Sequence, residues 1–140
     1  MEIILKGKIS SGVKVASRRL KACQSALNKY GLTFPPLFLG TINIKLEINF
    51  PTPNWSNVIH IPARELDEAD PIKINGRSFR ECWELIPVVK INDNSISGYI
   101  YRTTTNYHGD GFIELIAENL SGKINLAEGT EITVVVTEDA

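Results

Sequence analysis

Apolar and polar positions alternate along much of this chain. Ile42, Ile44, Leu46 and Ile48 alternate with Asn43, Lys45 and Glu47, and a period of two predicts a half-buried strand. Residues 2–9 alternate more weakly and are rich in isoleucine; they predict a first strand, broken by Ser10-Ser11-Gly12. Further strand-like runs fall at 58–61, 78–85, 87–91, 97–102, 112–117 and 131–137. Turn chemistry separates them. Asn75-Gly76 is the strongest hairpin signal, Asn92-Asp93-Asn94 marks another turn, and Pro35-Pro36 forces an extended entry into the strand at 42. Residues 51–57 read as loop. Residues 62–71, with two prolines and Glu65, Asp67, Glu68 and Asp70, read as a solvated loop or one short helical turn. A helical period occurs at Leu20, Cys23, Leu27 and Tyr30, which predicts a helix over 17–30 with Ser17 as N-cap and Gly31 as stop. Many short strands and one helix predict a mainly β fold, a small closed barrel.

Composition narrows the function. A chain of 140 residues suits one domain over its whole length, and 43% hydrophobic with 22% charged residues is a globular composition that argues against disorder. The net charge of −1 and a pI near 6.1 give no general electrostatic footprint for nucleic acid. No apolar run approaches the roughly 20 residues that span a bilayer. Met1-Glu2-Ile3-Ile4-Leu5-Lys6-Gly7 lacks the apolar core of a signal peptide, so a cytoplasmic protein is expected. Cys23 and Cys82 are too few for a disulfide framework or a zinc site and read as two thiols in a reducing compartment.

Few residues carry candidate chemistry. Thr41 and Asn43, two apart on a strand, present a hydroxyl and an amide oxygen to one face. Both are hard neutral donors of the kind Mg²⁺ takes when substrate phosphates complete its shell. The alternative is a plain polar face, or Asn43 bonded to a neighbouring loop. Glu114 is a lone carboxylate in Phe112-Ile113-Glu114-Leu115-Ile116; it needs a partner, a cavity or an outward position, because burying an unpaired carboxylate is costly. Lys14, Arg18 and Arg19 cluster at the start of the expected helix, where cations and backbone N–H groups can hold phosphate, or where they form an ordinary charged surface. His108, before Gly109-Asp110-Gly111, reads as a loop hydrogen-bonder rather than a general base.

In order along the chain stand Gly7-Lys8-Ile9-Ser10-Ser11-Gly12, the helix, Gly40-Thr41-Ile42-Asn43, Asn75-Gly76-Arg77-Ser78-Phe79, Tyr107-His108 followed by Ile113-Glu114-Leu115-Ile116-Ala117, and Leu126-Ala127-Glu128-Gly129-Thr130-Glu131-Ile132. This series resembles the archaeal-type, CTP-dependent riboflavin kinases over nearly the whole chain. The resemblance implies a six-stranded cradle-loop barrel that transfers the CTP γ-phosphate to riboflavin, giving FMN and CDP. It implies Mg²⁺ on Thr41 and Asn43, and flavin contacts from Tyr107 and from a catalytic Glu114. Asn106 stands where the family has a flavin-contacting Thr. The family's glycine-rich nucleotide loop is here Gly12-Val13-Lys14-Val15-Ala16-Ser17-Arg18, so Gly12, Lys14, Ser17 and Arg18 are the expected nucleotide contacts, with side chains replacing backbone. After Ala117 the family's Pro and Lys-Leu-Arg-like segment is replaced by Glu118-Asn119-Leu120-Ser121-Gly122-Lys123. The expected partners are riboflavin or FMN and a nucleotide, with no nucleic acid and no membrane, and the chain is expected as a monomer or weak homo-oligomer. The alternative is a non-catalytic flavin- or nucleotide-binding barrel, favoured by the lost loop glycines. A nucleic-acid-binding barrel is disfavoured by the neutral charge.

Overall fold

The computed structural model describes residues 1–10, 20, 22–32, 42–69, 73–74, 77–78, 81–103, 109–117 and 125–138. Its strands are β1 (Glu2–Ser10), β2 (Ile42–Leu46), β3 (Ile59–Ile61), β4 (Lys73–Ile74), β5 (Arg77–Ser78), β6 (Trp83–Ile91), β7 (Asn94–Thr103), β8 (Phe112–Ala117) and β9 (Glu131–Thr137). Two short helices are described, α1 (Gln24–Lys29) and α2 (Ala63–Ala69). Strands β6, β7, β8, β2, β1 and β9 pair in that order, and β9 pairs back onto β6, which closes a six-stranded antiparallel barrel. Closure leaves these strands no open edge, the usual liability of a sheet.

Strand β6 makes closure possible by dividing its second edge. Trp83, Leu85 and the residue between them pair with β3, whereas Val88, Lys90 and Ile91 pair with β9 across a register shift between Val88 and Lys90. Such an irregularity bends a strand, as a barrel wall requires. The sequence predicts two runs here, 78–85 and 87–91. The structure has one strand from Trp83, because Pro87 stands where the edge changes from β3 to β9, and Arg77–Ser78 belong to a separate pairing with Lys73–Ile74. The turn at Asn92 is as expected: Asn92 has φ 52°, its N–H donates to the Thr133 carbonyl at 2.7 Å, and its Oδ1 accepts from the Thr133 N–H at 3.0 Å.

Alternation along the strands, interrupted in β6 by the shift after Val88, gives the wall two apolar faces. Ile44, Leu115, Ile86, Ile100, Ile113 and Val134 fill the barrel interior. On the outer face Trp83, Leu85, Tyr101 and Ile116 meet Leu27 and Cys23 of the first helical segment and Leu66 of α2 in a second core. Of the helix expected over 17–30, the described residues carry α1, Gln24–Lys29, with Cys23 as its N-cap; the expected cap, Ser17, lies outside the described residues. Helix α1 ends as expected at Gly31 (φ 74°), with Gly31 N–H donating to the Asn28 carbonyl and Leu32 N–H to the Leu27 carbonyl, both at 3.1 Å. This is the Schellman pattern, with Leu27 and Leu32 both buried in the second core. Helix α2 corrects the expectation of a single helix. The Pro62 carbonyl accepts from the Glu65 N–H at 3.1 Å, Leu66 is fully buried, and the Tyr30 hydroxyl donates to Glu65. Tertiary contact rather than periodicity makes that turn a helix. No described helix is long and apolar enough to cross a membrane.

Candidate functional site

One lateral row of residues crosses six strands on the outer face. Ser10 pairs with Asn43, Asn43 with Glu114, Glu114 with Tyr101, Tyr101 with Leu85, and Leu85 with Ile59. Residues directly opposite in an antiparallel ladder project to the same face with neighbouring Cβ atoms. The row therefore has an apolar half, covered by the helical core, and a polar half made of Ser10, Asn43 and Glu114.

The polar half is not an ordinary wet surface. Asn43 is 5% exposed, and its Oδ1 finds no hydrogen-bond partner among the described residues. A buried carbonyl oxygen left unsatisfied costs roughly 1–3 kcal/mol, so the geometry favours a ligand that supplies the missing contact. Glu114, its neighbour, is half-buried, and its carboxyl is pushed up to about 7, first by burial and then by the charge of Glu81. Glu81 is itself 7% exposed and accepts a hydrogen bond from the Trp83 indole N–H at 3.1 Å. Trp83 in turn packs edge-on against Tyr101, 5.1 Å between ring centroids. The row is thereby tied to a second buried carboxylate that sequence reading passed over, since an acid before Cys82-Trp83 carries no periodic signal.

A buried arginine steadies the start of β8. Arg102 is 4% exposed; its Nη1 donates to Thr52 Oγ1 at 3.1 Å, its Nη2 donates to the Phe112 carbonyl at 3.4 Å, and Asp110 lies 4.0 Å from Nη1. The guanidinium sits 5.5 Å from the Phe50 ring centre. Burial lowers its pKa, against the opposing charges of Asp110 and Glu84. These contacts fix the 50–52 loop to the turn before Phe112, two residues from Glu114.

Of the expected site residues, Asn43 and Glu114 are described and stand side by side. Gly12, Lys14, Ser17, Arg18, Thr41, Asn106, Tyr107 and His108 lie outside the described residues. The described chain leaves and rejoins the sheet at two ends. It leaves β1 after Ser10, enters β2 at Ile42 and leaves β8 after Ala117 at one end of these antiparallel strands; it leaves β7 after Thr103 at the other. The Asn43–Glu114 pair lies between those ends. Cys23, whose Sγ donates to the Leu66 carbonyl at 3.9 Å, and Cys82 are both outside any disulfide. Among the described residues no three acidic, histidine or cysteine side chains form a metal cluster. No protein-family model matches this chain, and no curated protein matches it either.

Proposed function

We propose that this chain is a riboflavin kinase built on a cradle-loop barrel, using CTP as phosphate donor. The observation that carries the reading is the Asn43–Glu114 pair: a buried, unsatisfied amide oxygen directly beside a half-buried carboxyl, at the two positions that the motif resemblance assigns to metal and flavin. The donor chemistry fits Mg²⁺, since Asn43 Oδ1 is a hard oxygen lacking a partner among the described residues. Asn43, with Thr41, would hold the ion, which when bound neutralises charge on the transferring phosphoryl group.

In the reaction the riboflavin 5′-hydroxyl oxygen forms a bond to the γ-phosphorus as the bond to the β-phosphate oxygen breaks, and the hydroxyl proton is released. Glu114 orients that hydroxyl, and its carboxylate form can take the proton, with a pKa near working pH suited to the task. Gly12, Lys14, Ser17 and Arg18 receive the nucleotide, and Asn106 and Tyr107 the flavin. The chain ends that lead to these two groups leave the sheet on opposite sides of the Asn43–Glu114 pair, which suits a donor and an acceptor meeting there.

The test is FMN formation from riboflavin with Mg²⁺ and CTP, ATP, GTP or UTP in parallel, followed by chromatography. Product with CTP is expected. Product with a different donor alone would overturn the donor assignment, and none with any donor, from folded protein, would overturn the kinase reading. A second reading, a barrel that binds flavin or nucleotide without turnover, is favoured by the single glycine left in the Gly12–Arg18 segment.

A further inference from the structure

The kinase reading leaves the outer wall around β9 without a task. Leu5, Ile132, Val134 and Val136 belong to the barrel interior, so Ile4, Thr133, Val135 and Thr137 project outward. Ile4 pairs with Val135, and Val135 with Lys90. Val88 and Ile91 both belong to the interior, so the register shift between them leaves Val89 and Lys90 together on the outer side. One outward row therefore runs from Ile4 through Val135 to Val89 and Lys90. It is apolar on a wall that meets solvent: Ile4 is 59% and Val89 39% exposed. Val135 between them is buried yet joins neither core. The helical core covers a different part of the wall, around Trp83, Leu85, Tyr101 and Ile116. An apolar row exposed between polar flanks is a surface for a partner.

The charges beside the row select that partner. Along the outward side of β1 stand Glu2, Ile4 and Lys6, and along β9 Thr137, Val135 and Thr133, with Glu2 opposite Thr137 and Lys6 opposite Thr133. Glu2 and Lys6 are exposed, and neither forms an ion pair among the described residues. A second copy turned over about an axis along the row sets each strand on its own counterpart, running the opposite way. Ile4 then meets Ile4, Val135 meets Val135, threonine meets threonine, and Glu2 of each copy meets Lys6 of the other. The face is complementary to itself, as a two-fold contact requires. We propose that two copies of this chain associate through the Ile4–Val135 row, with a Glu2–Lys6 pair on either side of it. Lys90 meets its own counterpart at the β6 end, where its length lets the ammonium turn to water. A contact centred on one row of a convex wall is small, so the dimer is weak, with a dissociation constant of about 10 µM to 1 mM. Ser10 lies six positions further along the same side of β1, about 20 Å away, so the dimer leaves the polar strip open. The contact does not depend on the kinase reading.

Sedimentation equilibrium of the full chain from about 10 µM to about 1 mM is the test. The mass should rise from one chain towards two with concentration. Ile4→Glu should raise the dissociation constant at least about tenfold, because the apolar row is lost in both copies. Leu126→Glu, at a position that is 36% exposed and outside the row, should leave it unchanged. Glu2→Lys and Lys6→Glu should each weaken self-association, since each sets like charges together twice. Mixed in equal amounts, these two variants should associate with each other about as tightly as wild type, since both pairs are then attractive, and about 0.5 M salt should weaken that association. Circular dichroism confirms the fold of each variant; should Ile4→Glu fail to fold, the mixed charge variants decide. Monomer mass at every concentration overturns the proposal and leaves the row to a partner of another kind. Self-association that survives Ile4→Glu, or charge variants that do not recover on mixing, overturns it as well.

Discussion

Glu114 is the residue on which stability and chemistry meet. Its carboxyl, with a usual value of 4.5, is raised to about 7 by burial and by Glu81. Between those values the folded protein holds a proton that the unfolded chain has released. Its contribution to stability is therefore fully present below 4.5, declines as pH rises through the window, and is gone above about 7. In metal-free buffer, thermal unfolding from about pH 5 to about pH 8 should show this decline, on the order of 1 kcal/mol after allowance for solvent screening. Glu114→Gln should flatten it; a variant with the wild-type slope would show that other groups cause it. Glu114 stands out in the sequence as a lone acid in an apolar run, and Asn43 as a polar position in a regular alternation. Their adjacency is not legible there, because register between β2 and β8 depends on pairing across a long stretch of intervening chain. Glu81 gave no signal at all; only the fold lets its charge act on Glu114.

At the scale of elements, the strands were the legible part. Runs at 112–117 and 131–137 coincide with β8 and β9, since alternation there is imposed by a wall with two apolar faces. Helix α2 was legible only as one of two readings, a short helical turn beside a solvated loop, because Leu66 is its one buried side chain and a single anchor has no period. That anchor should matter accordingly. Leu66→Ala is expected to cost about 2–5 kcal/mol in denaturant unfolding, since it empties a fully buried position under Cys23 and Trp83; a cost below about 1 kcal/mol would show that α2 is not held by it. Gly7 is required by close approach: a Cβ there would lie 2.4 Å from the Lys45 carbonyl oxygen and 2.8 Å from Ile44 Cγ2. Gly7→Ala must push β1 from β2 and should cost about 1–3 kcal/mol, with a lower melting temperature as the readout. Because Asn43 lies on β2, the same change should weaken ligand binding; wild-type stability would show that β1 and β2 separate freely.

At the scale of the whole molecule, the described residues form a closed barrel with an apolar interior, a second core under two short helices on one part of its outer face, and a polar strip where that second core ends. The barrel class follows from the number of short alternating strands. Its closure does not, because it depends on β6 dividing one edge between β3 and β9 around Pro87, a residue that by itself reads as a strand break. We propose that the polar strip is a phosphoryl-transfer site organised by Asn43. It is tested most directly by the rate of FMN formation in Asn43→Ala against wild type, at saturating riboflavin, Mg²⁺ and CTP, with circular dichroism confirming the fold of both. Turnover by wild type and a loss of at least about 10–100-fold in the variant are expected. Equal rates in the two proteins would contradict it.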